Sequence, residues 1–163
     1  MDIEVKDKLI EVIGKILALL GEKAQVKCAA EGETIAVDIQ CEKAGQLIGK
    51  GGRVLEAVQH IVHKIVARTF AGKEIECIVI DIDGYRSRRE EEISQMARDI
   101  ADRVSRSGES ELLQTMSAWE RKIVHMVLKG SDNLESKSED SDLGRRVRIR
   151  PKGNDQRVEH KED

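Results

Sequence analysis

Aromatic side chains are nearly missing from this chain of 163 residues: Phe70, Tyr85 and Trp119 are the whole supply, 2% of the composition. A stacking platform of several exposed rings, of the kind an RRM sheet uses, is therefore excluded as the main means of holding a nucleic acid. Long apolar runs are also missing. The most hydrophobic stretch, Ile16-Leu17-Ala18-Leu19-Leu20, falls far short of the roughly 20 residues a spanning helix needs, so no integral membrane segment is expected. The opening Met-Asp-Ile-Glu-Val has neither the basic start nor the apolar stretch of a secretory signal, which makes the cytoplasm the expected location. Cysteine is scarce and odd in number. Cys28, Cys41 and Cys77 show no C-x-x-C spacing, which argues against a disulfide framework and a zinc site and leaves buried thiols as the expectation. No serine, cysteine or lysine has a base at a motif spacing, and the acid clusters Glu90-Glu91-Glu92 and Glu139-Asp140 are explained by solvation. The chain is expected to be non-enzymatic, without metal or cofactor.

Charge, by contrast, is abundant: 36% of residues carry it and 39% are hydrophobic, against about 25% and 45–50% in ordinary domains. The net charge of −3 does not announce a nucleic-acid binder, but its distribution is uneven. Between Lys43 and Lys73 there are six basic residues (Lys43, Lys50, Arg53, Lys64, Arg68, Lys73) against the single acid Glu56. Between Leu143 and Lys152 there are five (Arg145, Arg146, Arg148, Arg150, Lys152) and no acid, while Asp132 to Asp142 holds five acids against Lys137. Such segregation creates basic patches on an acidic protein, although a set of solvated faces would produce the same counts.

Periodicity divides the chain in two. Ile3, Leu9, Ile10, Ile13, Ile16, Leu17 and Leu20 recur at helical spacing between Asp2 as cap and Gly21 as stop. Val26, Cys28 and Ala30 alternate, as do Ile35, Val37, Ile39 and Cys41, with Glu31-Gly32-Glu33 between them, which predicts a β-hairpin. A short helix over Ala44 to Ile48, a glycine loop, a longer helix over Arg53 to Arg68 and a strand over Ile75 to Ile82 complete the order αββααβ, an α+β layout. The longer helix is expected to bury Leu55, Val58, Val62, Ile65 and Val66 and to present Arg53, His60 and Lys64 on the other face. A boundary is expected at Asp83-Gly84. Beyond it, Ile93, Ala97, Ile100 and Val104 predict a helix over Tyr85 to Arg106, and Ser117-Ala118-Trp119-Glu120 has capping-box spacing ahead of a helix reaching Gly130. Leu134 to Lys137 and Arg145 to Arg150 are candidate strands. The tail after Lys152 is polar and expected to be disordered.

Ile48-Gly49-Lys50-Gly51-Gly52-Arg53 is the segment most suggestive of binding. Glycines let a backbone approach closely, and the following helix offers free amides and the positive end of its dipole to an anion. The spacing is not that of a P-loop, since no hydroxyl follows Lys50, and no strand precedes it as in a dinucleotide fingerprint. G-x-x-G between two helices is the device with which KH domains clamp about four nucleotides. In the second half, the helix after Ser117 is expected to bury Trp119, Ile123, Val124, Met126, Val127 and Leu128. Arg121, Lys122, His125 and Lys129 are left on its polar side, with Arg121 and His125 as i, i+4 neighbours. Guanidinium can hold phosphate bidentately, and imidazole can donate to it or stack on a base.

The run Gln46-Leu-Ile-Gly-Lys-Gly-Gly-Arg-Val-Leu-Glu-Ala-Val-Gln-His-Ile-Val resembles the KH domain of the Jag (SpoIIIJ-associated) family of bacterial RNA-binding proteins. Gly84-Tyr-Arg-Ser-Arg-Arg-Glu-Glu-Glu, the Arg121-x-x-x-His125 pair and Arg145-Arg146-Val-Arg-Ile-Arg-Pro-Lys resemble the second domain of that family, named for its arginine and histidine. The likeness runs from about Met1 to Lys152 and implies a type II KH domain over 1–83, an Arg-x-x-x-His domain over 84–152 and a tail over 153–163. It implies single-stranded RNA as ligand, with single-stranded DNA as an alternative at the second domain, and action as a post-transcriptional regulator or RNA chaperone. It further implies a small stand-alone KH protein as partner, or a KH homodimer, and a link to cell elongation and division. Ile48, Gly49, Lys50, Gly51, Gly52, Arg53, Val54, His60 and Lys64 are then the KH site, and Arg121, His125, Lys129, Arg145 and Arg146 the second. Two departures stand out. Long members carry an additional N-terminal domain whose role is not carried over, and their glycine-rich turn before the last strand is here Ser138-Glu-Asp-Ser-Asp-Leu-Gly. The competing reading is a protein-interaction scaffold that uses the KH fold to dimerise, its nucleic-acid groove vestigial.

Overall fold

The computed structural model describes residues 3–31, 34–71 and 77–153. It divides into two compact units, Met1–Ser87 and Arg88–Asp163. Asp2, the Gly32-Glu33 part of the hairpin turn, Lys73, the Ile75 start of the expected strand, and the tail from 154 onward lie outside the described residues.

In the first unit the order αββααβ is present as α1 (Ile3–Leu19), β1 (Ala24–Glu31), β2 (Thr34–Cys41), α2 (Ala44–Ile48), a 3-10 turn (Lys50–Gly52), α3 (Arg53–Thr69) and β3 (Cys77–Ile82). The sheet runs β1-β2-β3, with β1 antiparallel to β2 and β2 parallel to β3. Ile35, Val37 and Ile39 of β2 alternate with less buried neighbours and face Leu9, Ile13 and Leu17 of α1 and Leu55, Val62 and Val66 of α3 within one core. The parallel pairing needs a crossover, and α2 and α3 provide it. Ile65, expected in this core, is instead 37% exposed, and it forms an outward stripe with Val54 and Ile61. A residue on the shoulder of the buried arc is carried outward when only four positions of a 17-residue helix reach the sheet. Cys28 and Cys41 are half-buried, with thiols pushed up by burial, and Cys77 is exposed rather than buried.

The second unit is built on α4 (Tyr85–Ser107), β4 (Glu111–Thr115), α5 (Ala118–Val127), β5 (Leu134–Glu139) and β6 (Arg146–Pro151), with strand order β4-β6-β5 and every pairing antiparallel. Ile93, Ala97, Ile100 and Val104 of α4 are buried, as their spacing predicts, together with Ile123 and Val124 of α5 and Val147 and Ile149 of β6. Trp119 packs partly buried against this cluster. Met126 belongs to the polar side rather than the core, at 62% exposure. Strand β4 has no counterpart in the sequence pattern: its alternation is broken by a register shift between Leu112 and Thr115, which exposes Leu112 and buries Leu113.

Candidate nucleic-acid interface

The glycine loop of the first unit is shaped by three left-handed residues, Gly49 (φ 70°), Gly51 (φ 60°) and Gly52 (φ 78°). A Cβ at Gly49 would overlap the Val54 side chain, whereas one at Gly51 would meet nothing within 4 Å. Gly51 therefore sits at an open apex. The loop closes through Gly49 N–H to Gly45 O (2.9 Å), Gly52 N–H to Gly49 O (3.3 Å) and Arg53 N–H to Lys50 O, none of which uses the amides of Lys50 or Gly51. Lys50 and Arg53 are exposed on either side of this apex, and α3 begins directly behind it with its N-terminal dipole. Val54 is exposed and Ile48 half-buried, giving the loop apolar flanks, and His60 and Lys64 are exposed further along α3. The arrangement can accept phosphates at the loop and bases along an aliphatic margin.

In the second unit the expected residues are arranged differently. Ser117 and Glu120 form the capping box at the start of α5: Ser117 Oγ accepts from Glu120 N and Glu120 Oε2 from Ser117 N (2.9 Å). Arg121 Nη1 donates to Met116 O (2.8 Å), and Met116 N donates to Arg145 O (3.0 Å), so Arg121 and the start of β6 lie at one end of the sheet. His125 is not a loose polar-face residue. It is half-buried, with Nδ1 2.7 Å from Ser136 Oγ and Nε2 2.9 Å from Ser138 Oγ. Ser136 and Ser138 are two apart on β5 and therefore share a face, so the imidazole ties α5 to the edge strand. Burial, with Arg121 as a second cause, holds the His125 pKa below its ordinary value of 6.5. A neutral ring fits this setting, one nitrogen donating to a serine and the other accepting from one.

Arg146, Arg148 and Arg150 alternate with buried Val147 and Ile149 and so project from the opposite face of β6. The acids that the sequence places before this strand return beside it: Arg148 Nε pairs with Glu139 (2.9 Å), Arg150 Nε with Glu135 (2.6 Å) and Arg145 Nε with Asp140 (3.0 Å). Arg146 Nε is buried without a hydrogen-bond partner. Lys129 is exposed just past the end of α5. The structure thus places Arg121 and Arg145 near one another through Met116, commits the ring nitrogens of His125 to β5, and turns Arg146 away from the helices. Sequence reasoning missed the two serines, whose period-two spacing carries no signal until the strand is known.

These geometries match two families in order. Residues 7–79 match the KH domain of KhpA/KhpB, and residues 91–151 match the Arg-x-x-x-His domain, the family named for that arginine and histidine. The chain belongs to the KhpB/Jag family. It is 32% identical to the RNA-binding protein KhpB of Bacillus subtilis (strain 168) over 76% of this chain and 58% of that protein. It is 27% identical to the protein of the same name from Clostridium symbiosum, over 89% of this chain and 65% of that one. With the KhpB of Lactiplantibacillus plantarum it shares 28% identity over 85% of this chain and 42% of the relative. The chain thus spans about half to two-thirds of the length of these KhpB relatives. No helix among the described residues is long and apolar enough to cross a membrane.

The buried, neutral His125 has a consequence for pH. With its folded pKa depressed, the unfolded chain binds more protons, so stability is fully present above about 6.5 and is lost as pH falls below it toward the folded pKa. Thermal melts should therefore fall more between pH 7.5 and 5.5 for the parent than for a His125→Gln variant. Parallel curves for the two would refute the assignment.

Proposed function

We propose that this KhpB/Jag member binds single-stranded RNA without chemistry, as a post-transcriptional regulator or RNA chaperone in the cytoplasm. The observation that carries this reading is the GxxG loop, open at Gly51, flanked by Lys50 and Arg53 and backed by the start of α3. The KH module is taken as 1–83 and the Arg-x-x-x-His module as 84–152, with 153–163 as a tail. Relatives named as RNA-binding proteins support the ligand class. The Arg121, His125 and Lys129 side of α5 and Arg145 supply the second contact, to RNA or single-stranded DNA, with His125 acting from its seat on β5. The outward Val54, Ile61 and Ile65 stripe supports pairing with a second KH domain, either another copy or a small stand-alone KH protein. A link to cell elongation and division rests on family resemblance alone. That same stripe also favours the scaffold reading. Crosslinking in cells followed by sequencing of attached RNA separates the two, because a scaffold would recover no RNA above background.

Salt dependence measures how many phosphates are engaged. For a single strand, log affinity falls against log salt with a slope of about −0.7 per neutralised phosphate. Because Arg145, Arg148 and Arg150 are already paired with acids, about three to five phosphates are expected to count, giving a slope of roughly −2 to −3.5. A slope near zero would refute phosphate clamping.

A further inference from the structure

Residues 80–90 fall between the two family matches, yet they place an aromatic ring directly against the GxxG loop. A Cβ on Gly52 would lie 3.1 Å from Tyr85 Cε1 and 3.2 Å from its Oη, so the ring fills the space behind this buried glycine. The position of Tyr85 is itself fixed. Asp83 (φ 49°) and Gly84 (φ 67°) are consecutive left-handed residues that turn the chain out of β3. Asp81 Oδ1 accepts from the amides of Ile82 (2.9 Å) and Arg86 (3.0 Å). The Arg86 side chain donates through Nε to Ile80 O (2.8 Å) and through Nη2 to Gln59 Oε1 (2.7 Å), and Gln59 Oε1 also accepts from Ile80 N (3.0 Å). A polar clamp therefore ties the first turn of α4 to β3 and α3 within the first compact unit, which carries on to Ser87.

We infer that Tyr85 is a positioning residue for the GxxG clamp, bracing Gly52 so that the Lys50–Gly51 amides meet a nucleic-acid backbone already in place. This rests on the reading of the loop as the RNA site. A preformed loop spares the ligand the cost of ordering it. If loss of the brace leaves about one molecule in ten with a competent loop, apparent affinity falls about tenfold, because Kd scales inversely with that fraction.

The test uses the full chain and a mixed-sequence pool of ten-nucleotide RNAs. Tyr85→Leu should bind about tenfold more weakly with an unchanged salt slope, since no phosphate contact is removed. Tyr85→Phe should restore parental affinity, and Gly52→Ala, which pushes on the same contact from the loop side, should lose a comparable factor. Leu17→Ala, a core change in α1, should bind like the parent when measured below its unfolding midpoint. Undiminished binding by Tyr85→Leu, in a preparation whose Lys50→Asp/Gly51→Asp counterpart has lost RNA, would overturn this inference and leave the loop reading standing. Loss in Tyr85→Phe would overturn it by making the hydroxyl a ligand contact, and equal loss in Leu17→Ala would reduce the effect to instability. Full binding by Lys50→Asp/Gly51→Asp would overturn both readings together.

Discussion

Replacing Lys50 and Gly51 together by aspartate is expected to weaken binding of single-stranded RNA by well over tenfold, roughly the cost of putting two carboxylates where phosphates must sit. The effect has two parts. A cation is exchanged for an anion at Lys50, and a second anion is added at the apex, where a side chain on Gly51 has open space. The fold should survive, because Lys50 and Gly51 are exposed and the loop-closing bonds leave their amides unused. Gly51 has φ 60° and ψ 30°, a left-handed conformation that aspartate tolerates better than most residues. Titration of labelled RNA, paired with a circular-dichroism melt, reads both sides. Parental affinity in a folded variant would remove the loop from the site.

The second large effect is expected on stability. Glu120 is 3% exposed and accepts from Arg89 Nε (2.9 Å), from Arg89 Nη2 (2.7 Å) and from Ser117 N (2.9 Å), so one carboxylate both caps α5 and joins it to α4. Removing one partner of a buried pair costs about 3–5 kcal/mol, and loss of a cap adds about 1. Arg89 can fall back on Glu92 (3.0 Å) and keeps some exposure, which moderates the loss for Glu120→Ala to about 3 kcal/mol. For a domain of this size, about 3 kcal/mol corresponds to a fall in midpoint of more than roughly 10 °C. Trp119, the chain's only tryptophan, lies in α5 beside Glu120, so its fluorescence follows the second unit directly. A drop of less than about 2 °C, well under 1 kcal/mol, would show that the pair is dispensable.

Much of this architecture could be read from residue order alone, because its elements announce themselves locally. The 3.6-residue spacing of Ile93, Ala97, Ile100 and Val104, the box at Ser117 and Glu120, and the glycines at 49, 51 and 52 each express a constraint within a few residues of chain. What could not be read depends on register. The acidic run before β6 looks in one dimension like a block separate from the basic one. The β5–β6 pairing sets Glu139 opposite Arg146, Lys137 opposite Arg148 and Glu135 opposite Arg150, and so folds the two blocks into one mixed surface. The partners of His125 lie 11 and 13 residues away on a strand, beyond any helical spacing. Strand β4 was hidden because its register shift breaks the period-two pattern on which strand recognition depends.

The interleaved charges on β5 also bear on how the protein behaves when concentrated. An edge strand with free backbone groups invites a neighbouring molecule to extend the sheet, and natural proteins guard such edges with charge, brevity or bulges. Strand β5 is an edge whose outer face reads Glu135, Lys137, Glu139, and the other edge, β4, is only five residues long and irregular in register. In the first sheet the β3 edge is capped at Ile80 by Gln59 and Arg86, while the eight-residue β1 edge carries Lys27 near its middle. Three of the four sheet margins are thus poor templates for adding another chain. Self-association in solution is steered away from strand-to-strand stacking, the route that leads to insoluble aggregates, and toward the helical side of the first unit.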